Sequence, residues 1–571
     1  MATSAHSGVP GVREGGWLCC CLRRSSKASG VTTVSDVSGP RLAAPGAARH
    51  GTAGSRRPAA AAPTTLTSEH GDVYVEPGLT PLAAREANRS ALVTLLDQAG
   101  VAHFAVRGTA DHGTVVGVAE EDRERALQAL FRGLGQYPGH LSVVDPEAPR
   151  PAKPVSSRDP RAWREVASAR VVQVSWYRTD AGRHLLLGHE YGCAVEFWQR
   201  SGTHLVAPRA NRATWAVAAD GTNVMGAARL FSRFVSDWTP RHLAPALPTR
   251  PEFLVHCADD IAFAVDAVYT WVDGNDPVWQ RRKARAKGEA YHAESASDAR
   301  FISRDELRYS IRSLHMFAPW IRNIYVVTDD QVPEWMREDL FGIRVATHRE
   351  IFRNPADLPT FNSHSIESQL HHIDGLAEHF LYFNDDMFMG RPVAPHAFFT
   401  PNGTARYFPS RNRIPQGAVA ETDTPVDAAC KNNRALLRER FGKVITQPME
   451  HIPYALRRSA MEEAEREFSE AWARTSASRF RAMTDLSPTS SFALYYAALT
   501  GRAQPGSMPF TYLQLAVPDL AERLQRLLDG RDQDTFCLND AFSTPEDIEA
   551  QQELLDDFLT SYFPTPSPFE R

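Results

Sequence analysis

The chain has 571 residues, 43% of them hydrophobic and 23% charged, and a formal net charge of -5. That length implies about two to four compact units with ample core, and the mildly acidic balance argues against nucleic acid as a partner. Seven cysteines, three at 19–21 and Cys193, Cys257, Cys430 and Cys537 scattered, make neither a disulfide framework nor a zinc pattern. No apolar run nears the ~20 residues of a membrane span and the opening lacks a signal-peptide layout, so a cytoplasmic, reducing setting is expected.

Residues 1–66 are rich in Ala, Gly, Ser, Pro and Arg without periodicity, the composition of a disordered tail. Over 67–145 a small α/β module is predicted. Leu92, Leu95, Leu96 and Ala99 fall at helical spacing before Gly100, "HFAVR" and "TVVGVA" look like strands, and "EEDRERALQALFRGLG" like a second helix. The Pro-rich stretch 146–164 is read as a linker, and the short apolar pieces of 165–260 as a β-rich segment. From 261 to 571 strands and helices alternate: "VDAVYTWVDGNDP", "SRDELRYSIRSLHMF", "IRNIYVVTDD", "IRVATH", "HSIESQLHHIDGLA" and "HFLYFNDD". This predicts an α/β, Rossmann-like, mainly parallel sheet with helical additions, in which ligands gather outside the carboxyl ends of the strands.

Three of those strands end in acids: Asp273, Asn275 and Asp276; Asp329 and Asp330; Asp385 and Asp386. Each cluster alone is commonly a turn, but several on one sheet edge suit a hard divalent cation that holds phosphates. Ser303 and Glu306 fit a capping box, while Arg304 and Arg308, one turn apart, are placed to face a phosphate. Before Glu367, the loop with Asn362, Ser363, His364 and Ser365 is dense in donors, with either serine able to cap the helix. His451 precedes an apolar stripe read as one long helix through Leu456, Ala460, Ala464, Phe468, Ala471 and Trp472. Arg479 and Arg481 are ordinary surface charges on this reading, and Asn539-Asp540 closes another apolar run.

The blocks "VDAVYTWVDGNDPVW", "RDELRYSIRSLHMFAPWIRNIYVVTDDQVPEW", "LPTFNSHSIESQLHHIDGLAEHFLYFNDDMFMGRPV", "QPMEHIPYALRR" and "FCLNDAF" resemble, in order, the signature blocks of the Stealth proteins. These are bacterial capsular-polysaccharide phosphotransferases and the related GlcNAc-1-phosphotransferase α/β subunits. The resemblance spans about 265–571. It implies transfer of a sugar 1-phosphate from a UDP-sugar to a glycan hydroxyl, with release of UMP and help from Mg²⁺ or Mn²⁺. By motif it places the essential groups at Glu367, Asp386, His451 and Arg481, with Arg479 as the rival of Arg481, and metal ligands at Asp386 and Asp540. It implies donor contacts from Trp271, Asp273, Asp276, Arg308, Asn362 and His364. His451 and Glu367 both stand as base candidates. A nucleotide sugar and a polysaccharide acceptor are the expected partners, with peripheral attachment to membrane-bound polysaccharide machinery and homodimerisation as further expectations. The alternatives are a metal-dependent glycosyltransferase releasing UDP, and a non-catalytic carbohydrate-binding or assembly protein.

Overall fold

The computed structural model describes residues 64–68, 71–147, 152–288, 303–337, 340–540 and 543–571. The predicted tail, with Cys19, Cys20 and Cys21, lies outside them up to residue 63. In the carboxyl-terminal half, β1 (Val265–Thr270), β2 (Ile324–Thr328), β3 (Ile343–Thr347) and β4 (His379–Asn384) form a parallel sheet. After β4 the chain turns at once into β5 (Met387–Met389), and much later β6 (Tyr454–Arg457) returns antiparallel to β4 with Tyr454 opposite Tyr382. The spatial order is β3-β2-β1-β4-β6. The chain therefore winds outward from β1 to β3 and comes back on the other side of β1. Sheets of this kind bind ligands where the strand order reverses, here at the carboxyl ends of β1 and β4. All but the last residue of both strands are buried, which explains their largely apolar sequences; the buried Asp266 of β1 is paired with Arg322 at 2.6 Å.

Five helices matter to the site: α1 (Pro277–Lys287), α2 (Glu306–Phe317), α3 (Ser363–Glu367), α4 (Arg458–Glu467) and α5 (Pro545–Tyr562). A second small sheet has the order β5-β8-β7, with β7 at Phe510–Gln514 and β8 at Thr535–Asn539. Met387 pairs with Cys537 across it, and the Leu538 amide donates to the Asp386 carbonyl at 3.0 Å. The end of β8 is thereby fastened beside the end of β4.

Several local expectations are corrected. "YALR" after His451 is strand, because it completes a ladder on the open edge of β4; the helical stripe then breaks at Phe468 between α4 and a separate helix, Ser469–Ala477. Ser303 does not cap α2: Asp305 takes the N-cap position at φ 64°, and Glu306 accepts instead from the Arg304 amide at 2.6 Å. Asn362, rather than Ser363 or Ser365, caps α3 through the His364 amide.

The amino-terminal half is one unit. Its large sheet places Thr114–Ala119 in parallel against Cys193–Trp198, and Leu247–Thr249 beside His103–Ala105. Strands of 67–145 and 165–260 thus alternate in a single sheet, and neither stretch closes a sheet of its own. The intervening segment is no simple linker either: Val155–Ser156 joins the same sheet, and Pro160–Val166 is a helix capped by Asp159. Leu79, Ala84, Leu185, Leu187 and Tyr191 of this half belong to the same buried cluster as β1, β2 and β4.

Candidate active site

Asp385 and Asp386 sit at the turn from β4 to β5, with apolar residues on either side. Asp386 Oδ2 accepts from the Cys537 thiol at 3.3 Å and from Asn539 Nδ2 at 3.2 Å. Its other oxygen, Oδ1, is buried with no hydrogen-bond partner among the described residues, and lies 3.6 Å from His451 Nε2. Burial pushes the Asp386 carboxyl up, but the neighbouring His451 and hydrogen bonds from Cys537 and Asn539 outweigh it and bring it below the usual carboxylate range. Asp385 goes the other way: burial first, then the charges of Glu306 and Asp386, push it well above that range.

His451 enters from the loop before β6. Its Nδ1 is 3.2 Å from the Tyr454 hydroxyl, its Nε2 is 3.3 Å from Asn384 Nδ2, and its side chain is 28% exposed. Tyr454 ties the group together. Burial raises its phenol well above the ordinary value, and Glu367, Cys537 and Asp386 raise it further. Glu367, at the end of α3, is buried and accepts from Thr489 Oγ1 at 2.6 Å. Arg481 is exposed and reaches the other end of α3, where its Nη2 donates to Ser363 Oγ at 3.1 Å. Asp386 and His451 thus meet beside Tyr454, the charge of Glu367 is felt at that phenol, and Arg481 stands at the opening of the helix that carries Glu367.

The expected donor contacts fare unevenly. Trp271 stands past the end of β1 with its indole N–H buried and unpartnered among the described residues. Asp273 accepts from the Asn275 amide at 2.9 Å, and Asp276 caps α1 and accepts from Gln331 Nε2 at 2.9 Å; both serve the turn. Arg308 is corrected to an ion pair with Glu570 at 2.6 Å. Asn362 is fully buried and donates to Asp485 Oδ2 at 2.8 Å, and to the Ser478 carbonyl. His364 Nδ1 lies 3.6 Å from the same carboxylate. Both therefore brace the 478–485 loop that carries Arg481 instead of facing a ligand. Asp540 is likewise taken up, by Arg304 at 2.6 Å and the Ser543 amide at 3.1 Å.

The residues suit a hard divalent cation. Three carboxyls, Glu306, Asp385 and Asp386, feel one another's charge, Asp386 keeps an unpartnered oxygen, and the nearby Arg304 is engaged by Asp540. Asp386, His451 and Cys537 also bring one possible ligand atom each within 4.8 Å of one another; burial and then Asp386 hold the Cys537 thiol well above its ordinary value, and only a bound ion would make it a thiolate ligand. Sequence reasoning missed Asn384, Tyr454, Thr489, Cys537 and Asn539. Asn384, Tyr454, Cys537 and Asn539 lay inside blocks already singled out, though without a role assigned to them; Thr489 did not.

Four family profiles match the chain in order: Stealth protein conserved region 1 over residues 263–291, region 2 over 300–407, region 3 over 450–498 and region 4 over 525–571. The chain belongs to the Stealth family, and its site residues fall within regions 1 to 4. It is 88% identical to an exopolysaccharide phosphotransferase of Streptomyces coelicolor, over 95% of this chain and all of that one. A second exopolysaccharide phosphotransferase of that organism is 48% identical over 88% of this chain and 85% of its own. One from Mycobacterium tuberculosis is 35% identical over 89% and 92%. The chain is accordingly an enzyme of the phosphotransferase class.

Proposed function

We propose that this enzyme transfers a hexose or hexosamine 1-phosphate from a UDP-sugar to a hydroxyl of a glycan, in the synthesis of a cell-surface polysaccharide. The observation that carries the reading is the meeting of Asp386 and His451 beside Tyr454 at the carboxyl end of β4, with Glu367 near enough for its charge to be felt there. The acceptor oxygen attacks the β-phosphorus, the bond from that phosphorus to the bridging oxygen breaks, and UMP leaves with the bridging oxygen. His451 Nε2 takes the acceptor proton. It has the more exposed position, beside the Asp386 carboxylate that favours the imidazolium once formed. Glu367, buried on Thr489, fixes the Tyr454 side of the pocket. Arg481 at the mouth of α3 meets the negative charge of the transferring group. Asp386, through its unpartnered oxygen, with Asp385 would hold Mg²⁺ or Mn²⁺, which when bound neutralises the diphosphate. Asp540 joins them only by leaving Arg304.

Purified enzyme incubated with Mg²⁺, a panel of UDP-sugars and acceptor oligosaccharides is expected to release UMP and to leave phosphorus in the glycan. Asp386→Asn is expected to lower that rate by at least ~100-fold, as loss of a principal electrostatic group does. Release of UDP would assign glycosyl transfer instead, and unchanged UMP release by the variant would remove Asp386 from the chemistry.

A further inference from the structure

Four residues beyond Glu367, at the turn Leu370–His372, two imidazoles and a carboxylate converge. His371 Nε2 and His372 Nε2 lie 2.8 and 3.0 Å from the same oxygen, Oε2 of Glu465 on α4. The two rings are 4.0 Å apart. The His371 side chain is fully buried, and those of His372 and Glu465 are 9% and 17% exposed. Arg353 approaches the same oxygen only to 3.8 Å, from a side chain 66% exposed.

The protons around His372 do not balance for a neutral ring. Its Nδ1 lies 3.1 Å from the Ile351 carbonyl and 3.1 Å from Gln369 Oε1. Both accept; the Gln369 amide is oriented by its Nε2 donating to Ser368 Oγ and its oxygen receiving the Arg353 amide. Nδ1 therefore carries the hydrogen, and a neutral ring turns the Nε2 lone pair toward a carboxylate. Two lone pairs face each other there unless a cation lies between them. An imidazole whose far N–H is fixed on a backbone carbonyl is also the arrangement in which histidine ligates metals.

We propose that His371, His372 and Glu465 form a site for a divalent transition-metal ion of the zinc type, separate from the centre at Asp386. Two imidazole nitrogens and one carboxylate oxygen make a three-ligand set with a place for water, and imidazole selects such ions over Mg²⁺. The ligand atoms already lie within 4.8 Å of one another. The ion would fasten the segment leaving α3, which carries Glu367, to α4, which leaves the β6 strand beside His451. The site is a clamp between two sides of the catalytic centre.

The test loads the full-length protein with Zn²⁺, removes loose metal by dialysis, and counts what remains by elemental analysis; Co²⁺ substitution adds a visible spectrum. Wild type and Asp386→Asn are expected to retain one equivalent with the same Co²⁺ spectrum and to melt at a higher temperature when loaded. Glu465→Gln and His372→Asn are expected to bind at least ~10-fold more weakly and to show no such rise. The milder Glu465→Gln keeps the test meaningful should His372→Asn fail to fold. Loss of metal from Asp386→Asn with retention by Glu465→Gln would move the metal to the catalytic centre. No retained metal in wild type would mean that His372 is an imidazolium paired with Glu465; either result overturns the proposal.

Discussion

Asp386 has one oxygen fully engaged and one left bare, and that asymmetry separates a ligand-binding carboxylate from the structural acids around it. Asp273 and Asp276 each accept an amide of their own turn through Oδ1, and the other oxygen of Asp276 accepts from Gln331 Nε2. Glu367 depends on a single strong donor: Thr489→Val leaves a buried carboxylate without it, which costs about 1–3 kcal/mol. The expected outcome is a lower melting temperature together with reduced turnover, read by thermal unfolding and UMP release. Glu570 is one of the groups that contribute acid-side stability to this half. Burial pushes its carboxyl up, but hydrogen bonds from Arg312 and Arg308 and from the Ser567 amide win and bring it below the ordinary value. Stabilisation from such a group is complete above the unfolded value of about 4.3 and is lost as pH falls through the lower folded one. Glu570→Gln is therefore expected to be less stable at pH 7 and to lose less on acidification, as measured by denaturant titration across that range.

Among the elements, the β5-β8 pair does most to bring the site together, because it holds Cys537 and Asn539 against Asp386. Just past β5 a Cβ on Gly390 would lie 2.5 Å from the Gln533 carbonyl, a backbone atom that cannot swing away. Gly390→Ala is expected to cost ~1–3 kcal/mol as an overpacked substitution and to lower activity along with the melting temperature. The Arg481 loop hangs on Asp485, which accepts from Asn362 and from the Ala482 amide. Asp485→Ala is expected to raise protease sensitivity over 478–485 and cut turnover while β1 to β4 keep their hydrogen-exchange protection. Acids at the ends of β1 and β4 were legible in the sequence because a parallel strand is a bare apolar run and its end is the first polar residue. The strand at 454–457 was not: four residues of "YALR" fit either period, and only the open edge of β4 decides. Thr489, Cys537 and Asp485 carry no local signal at all, since their roles come from contacts 122, 151 and 123 residues away in sequence.

Across the whole molecule, the two halves share a core. Leu79 and Leu185 pack in the cluster built on β1 and β4, Thr565 donates to the Leu79 carbonyl at 2.5 Å, and Arg531 reaches the His184 carbonyl at 3.4 Å. A fragment of residues 261–571 is expected to express poorly or melt well below the intact chain, and the intact chain to unfold without a stage in which one half persists. The boundary drawn at 145 and 165 failed for a related reason: pairing of Thr114–Ala119 with Cys193–Trp198 is non-local, and composition sees only neighbours. No break in packing falls at 261, since residues on both sides of it belong to one buried cluster.

The fastening of β8 beside β4 also bears on how the protein is made. Asp386 leaves the ribosome long before Asn539 and Cys537 exist to receive it, so its carboxylate waits uncovered while some 150 further residues are synthesised. Translation products stopped before β8 carry Glu367, Asp386, His451 and Arg481 and are expected to be silent all the same, so activity waits for the last strand.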